Sequence, residues 1–144
     1  MLRDMGDVVL YNISKVEFIE ARYLRGVVAL GGGLVWLGCW RNFSKLCVAG
    51  LGEMAVSEAV VHGSRVRTVK LTVRVRDGLE GVGVRRLAWR VTCVDGRQWL
   101  LGGVERPWPV ALVGTDFPGA VTERGGVSVA VTWSSAVGPL RIVD

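Results

Sequence analysis

The chain has 144 residues, which suits one domain spanning 1–144 that buries roughly two-thirds of its unfolded surface and folds without disulfides or a metal. Half the residues are hydrophobic, 20 are glycine and only three are lysine, a composition that suits a packed β-protein better than a disordered chain. The net charge of +5 rests on 15 arginines and three lysines; it admits nucleic acid or an acidic protein surface as partner, but the charges are spread along the chain as on solvated faces.

The N-terminus carries Arg3, Asp4 and Asp7 and lacks the apolar core of a secretory signal, so synthesis in the cytoplasm is expected. From Asp7 to Ile19, Val16 and Phe18 alternate with Lys15 and Glu17, as on a half-buried strand. Ser14 and Glu17 also match a capping box, and Gly26 could stop a helix ending at Arg25; the strand is the preferred reading. Val27 to Trp40 is the most hydrophobic run, yet it falls short of the ~20 residues of a membrane span. Gly31 to Gly33 interrupt it, giving a flexible connection and then a short buried strand from Leu34 to Trp40. No Gly-Lys-Ser/Thr follows the glycines, so a phosphate-cradling loop is not expected. Arg41 to Cys47 reads as a loop.

Glu53 to Val61 reads as a strand closed by His62-Gly63-Ser64. Arg65 to Arg76 is the clearest signal of all. Val69, Leu71, Val73 and Val75 take one face, and Thr68, Lys70, Thr72, Arg74 and Arg76 the other, so one face is in the core and one in water. Asp77 to Val84 is a glycine-rich loop. Leu87 to Leu101 then forms a hairpin about Asp95-Gly96, a favoured pair for a type I′ turn. Counted from a two-residue turn, Val94 faces Arg97, Thr92 faces Trp99 and Val91 faces Leu100. The core face then holds Trp89, Val91, Cys93 and Leu100, and the other face Arg90, Thr92, Trp99 and Leu101.

Glu105-Arg-Pro-Trp-Pro109 forces an extended corner or edge, because prolines bracket the tryptophan. Val110 to Val113 is a short strand, and Gly114 to Gly126 a long loop. Val127, Val129, Val131 and Trp133 alternate with Ser128, Ala130, Thr132 and Ser134 as a second clear strand, and Leu140 to Val143 adds a short one. The expected fold is all-β, an antiparallel β-sandwich or barrel of about eight or nine short strands with little helix.

Chemistry is sparse. His62 is the only histidine, and no nucleophile motif stands near it, so neither a catalytic triad nor a Cys/His metal site can be assembled. Glu17 and Glu20 would point to opposite faces of a strand. No enzyme activity, cofactor or metal is expected. Cys39, Cys47 and Cys93 are odd in number and read as buried reduced thiols. The densest basic stretch runs from Arg65 to Arg97, and a nucleic-acid-binding sheet there would use Arg74, Arg76 and Arg90, with Trp99 on the Arg90 side to stack a base. Trp108 is the best candidate for a contact with another subunit.

Ile13-Ser-Lys-Val-Glu17, the Thr68-to-Val75 strand, Arg90-Val-Thr, Asp95-Gly-Arg-Gln-Trp-Leu-Leu-Gly-Gly and Glu105-Arg-Pro-Trp-Pro together resemble small β-rich proteins encoded in prophages of gut bacteria among virion structural genes. The resemblance spans about Val9 to Val143 and leaves Val27 to Leu51 unmatched. It implies a β-sandwich that joins a tail or neck assembly, with no catalytic residue or cofactor to carry over. Its partners would be other virion proteins or further copies of itself, without a membrane, and its location the virion when the prophage is active. A nucleic-acid-binding β-module is the alternative.

Overall fold

The computed structural model describes residues 8–24, 27–37, 43–77, 86–103, 106–115 and 127–143. The expected loops at 77–84 and 114–126 lie almost wholly outside these residues, as do Cys39 and Trp40. The chain is all-β. Its strands are β1 (Val9–Glu20), β2 (Val28–Gly31), β3 (Leu34–Trp36), β4 (Ser44–Lys45), β5 (Cys47–Val48), β6 (Gly52–Val61), β7 (Ser64–Asp77), β8 (Leu87–Cys93), β9 (Gln98–Leu101), β10 (Val110–Thr115), β11 (Val127–Ser135) and β12 (Leu140–Val143). One short 3₁₀ turn, Ala21–Leu24, follows β1. No helix among the described residues is long and apolar enough to cross a membrane.

These strands form one open sheet in the order β10-β11-β7-β6-β1-β8-β9-β12-β3-β2. The pairing is antiparallel except between β12 and β3, which run parallel. The sheet is therefore mixed, and its strands outnumber the eight or nine expected. The excess comes from the unmatched region. Gly32 and Gly33 turn β2 into β3 at positive φ, so the triple glycine is a hairpin turn. The expected loop at Arg41 to Cys47 contains β4 and the start of β5, which pair with β1 and β7. Leu46 between them donates its N–H to the Val16 carbonyl at 3.0 Å, and Ala49 donates to Arg74 at 2.8 Å. Ser44 to Val61 thus runs between β1 and β7 as one interrupted strand.

β7 and β11 form as their alternation dictates. Val69, Leu71, Val73 and Val75 of β7 and Val129, Val131 and Trp133 of β11 are buried. They share a core with Ile13, Val16 and Phe18 of β1, Met54 of β6, Leu87, Trp89, Val91 and Cys93 of β8, and Leu101 of β9. These residues come from consecutive strands of one sheet, so the sheet curls around them. Each such Val, Leu or Phe contributes about 1.5–3 kcal/mol by leaving water. A second core of Ile19, Leu24, Val35, Ala88 and Leu100, with Phe43, Leu140 and Ile142 against it, covers the other face of β1, β8 and β9. A strand covered on both faces loses its polar positions. That is why Leu100 and Leu101 are both buried.

Alternation lets β1 reach both cores, Val16 and Phe18 on one face and Ile19 on the other, and a bulge brings Ile13 to the face of Val16 and Phe18. The register of β1 against β8 shifts between Ile13 and Lys15, and Ser14, the extra residue, donates its hydroxyl to the Thr92 carbonyl at 3.2 Å. The Ser14-to-Glu17 segment is strand, not helix.

The β8–β9 hairpin departs from the expected register. Thr92 pairs with Gln98, Val91 with Trp99 and Trp89 with Leu101. Gly96 donates to the Cys93 carbonyl at 3.0 Å and Cys93 to Arg97 at 2.8 Å, and only Gly96 of the turn has positive φ, at 96°. This is a three-residue loop ending in a left-handed glycine bulge, not a two-residue type I′ turn. The one-residue slip moves Trp99 to the side of Trp89 and Val91, and Leu100 to that of Arg90. Two positive φ values occur instead at His62-Gly63, at 52° and 79°, between the paired Val61 and Ser64, as they do at Gly32-Gly33.

Candidate functional site

The five candidate interaction residues do not converge. Arg74 and Arg76 are exposed on the outer face of β7. On β11, Ser128, Ala130 and Thr132 stand opposite Arg74, Thr72 and Lys70; on β6, Ala55 stands opposite Lys70 and the acidic Glu53 opposite Thr72. No aromatic ring stands in that column.

Trp99 is half-buried and packs against the first core, its ring tilted on Tyr11 with centroids 5.5 Å apart. Cys93 lies on the same side. Burial pushes its thiol pKa up, and the neighbouring Trp99 indole opposes that shift. The expectation that Trp99 stands beside Arg90 on a basic face is therefore corrected by the hairpin register. Cys47 is exposed, which corrects its reading as a buried thiol.

Arg90 takes part in a buried ion pair that the sequence did not reveal. It stands opposite Glu17 on β1, and its Nε and Nη2 donate to the two carboxylate oxygens at 2.8 and 2.9 Å. The fork matches the carboxylate geometry of a bidentate pair. Phe43 closes the pair from the second core, its ring centroid 4.1 Å from the guanidinium carbon. Glu17 is only 7% exposed. A charge so buried, fully paired and roofed by an aromatic ring holds β1 to β8; it is not presented to a ligand. Among the described residues no group of three His, Cys, Asp or Glu side chains is placed to hold a metal.

Trp108 lies just before β10 and is half-buried. The Arg86 guanidinium stacks over its ring at 4.4 Å, with Arg106 at 6.0 Å. The segment around it is anchored on both sides. The Trp133 indole N–H donates to the Pro107 carbonyl at 3.0 Å, and Pro109 is buried against Gly102. Beyond it, β10 is the last strand of the sheet, paired with β11 alone among the described residues. Its Val110, Leu112 and Val113 are exposed at 59%, 67% and 46%, and none of its six residues is charged. This rim, Trp108 leading into β10, is one exposed apolar edge among the described residues; the β2–β3 end of the sheet, with Val28, Leu30, Leu34 and Trp36 exposed, is another.

No protein-family profile, curated protein or solved structure matches the chain.

Proposed function

We propose that the chain is a structural subunit of a phage or prophage particle, in the tail or neck, acting through protein–protein contacts and not through catalysis. The observation that carries this reading is the β10 rim. Edge strands are normally blunted by charge, proline, shortness or a bulge, and β10 has six residues in unbroken register with β11, from Val110↔Thr132 to Thr115↔Val127. Trp108 beside it is held by Pro107 and Pro109, so little ordering entropy opposes its docking. The motif resemblance adds the particle context: cytoplasmic synthesis, then incorporation into the virion when the prophage is active.

The nucleic-acid alternative draws support only from the Lys70, Arg74 and Arg76 column. Its stacking residue, Trp99, packs on the core side.

Sedimentation of the purified chain, alone and with the neighbouring virion proteins, tests the proposal. Trp108→Ala is expected to stay β-folded while self-association or incorporation into particles falls. Salt-sensitive, submicromolar oligonucleotide binding by a chain that stays monomeric would overturn it in favour of the alternative.

A further inference from the structure

We infer that β10 pairs antiparallel with β10 of a second copy of this chain, about a two-fold axis through Leu112. This rests on the assembly reading above and names its partner and geometry. Among the described residues no strand pairs with the side of β10 away from β11, and the occupant that satisfies such a row of backbone N–H and C=O groups is another extended strand. The other terminal strand, β2, suits this less. It has four residues, and its register against β3 shifts between Ala29 and Gly31, a bulge of the kind that turns an edge away.

That the strand comes from an identical chain follows from symmetry and sequence. Residues directly opposite in an antiparallel pair point to the same face, so a two-fold axis must pass through a residue and not between two. Centred on Leu112, Leu112 meets Leu112, Val110 meets Gly114, and Ala111 meets Val113. Large residues then fall opposite small ones on either side of the central leucines, and the same patch serves both copies. The outer face of the joined sheet stays flat, because the adjacent β11 offers only Ser128, Ala130 and Thr132 there. Charge permits the same segment. Two chains of +5 repel, and β10 is an uncharged segment along which they can approach. One strand pair is a small interface, so the dimer is of micromolar strength.

Sedimentation and register-specific cross-linking of the full chain test this. Wild type should move from one copy to two, twice the 15.6 kDa of one chain, as concentration rises into the high micromolar range. Leu112→Lys places like charges directly opposite and should weaken the dimer at least about tenfold. Leu112 is 67% exposed, so circular dichroism should be unchanged. In a background with Cys39 and Cys47 replaced by serine, Leu112→Cys should cross-link to its own copy on mild oxidation. Val110→Cys should not, because its two copies would lie about 13 Å apart along the strands, beyond the ~7 Å reach of a disulfide. A chain monomeric at every concentration, or equal cross-linking at both positions, would overturn the inference. So would an oligomer indifferent to Leu112→Lys, but that outcome leaves the assembly reading standing, whereas a monomer that also fails to join virion proteins sinks both.

Discussion

Removing either partner of the Glu17–Arg90 pair should expose how much of the fold's stability depends on a charge held between two strands. The side chains are 9% and 20% exposed, so both lie well below the exposure at which solvent screens a pair to insignificance. Loss of one partner of a buried pair costs about 3–5 kcal/mol, chiefly because the other charge stays desolvated. Arg90 keeps its contact with Phe43, and Lys45 stands opposite Glu17 on its other side. Glu17→Met and Arg90→Met are therefore each expected to cost a little less, about 2–4 kcal/mol. The double variant, with two apolar side chains beside Phe43, should recover much of that loss, because no unpaired charge remains. Urea unfolding followed by tryptophan fluorescence gives the three free energies and their coupling. Single losses below about 1 kcal/mol, the range of exposed pairs, would refute the reasoning, as would a double variant as damaged as the sum of the singles.

His62→Val should destabilise by about 1–2 kcal/mol, since a β-branched residue is forced into positive φ, whereas His62→Asn should be near neutral; thermal melts separate the two. Gly52→Ala should cost about 1–3 kcal/mol because the added carbon collides with the Val73 side chain, and Val73→Ala in the same chain should return part of it by making room. Asp95 is held below the usual carboxylate pKa by the Arg97 backbone N–H, at 3.1 Å, and by the Arg97 guanidinium, at 2.8 Å. A lowered folded-state pKa gives stability that is present above the unfolded value and lost as pH falls through the folded one. Melting temperature should thus decline on acidification below about pH 4, less steeply in Asp95→Asn than in wild type.

Much of the strand content could be read from residues alone. β7 and β11 each keep one face in water, so their period-two patterns survive in the sequence and their buried sets were identified residue by residue. The β6–β7 turn was placed correctly at His62-Gly63. The candidate site was far less legible. Trp108 was singled out from its prolines, but that β10 beside it ends the sheet is a property of strand order. Glu17 was set aside as half of a carboxylate pair with Glu20, and its true partner is 73 positions away. Two-residue strands around a break, such as Ser44–Lys45 and Cys47–Val48, carry no period to detect.

Residue preferences and alternation alone give the all-β class, the places of the one-sided strands and a turn at Asp95-Gly96. Those properties are local: backbone preference, alternation and the special φ of glycine act within a few residues. The register of that turn, the second core over β8 and β9, the Glu17–Arg90 pair and the place of β10 at the end of the described sheet come from long-range packing. A two-residue turn and a three-residue turn with a glycine bulge both suit Asp-Gly, and they differ by one residue. Where a single face is buried, alternation settles such a slip. Leu100 and Leu101 are both buried, so adjacent positions are equally apolar, and the choice passes to Trp99 packing beside Tyr11 and Val91 on strands that only the folded sheet brings together.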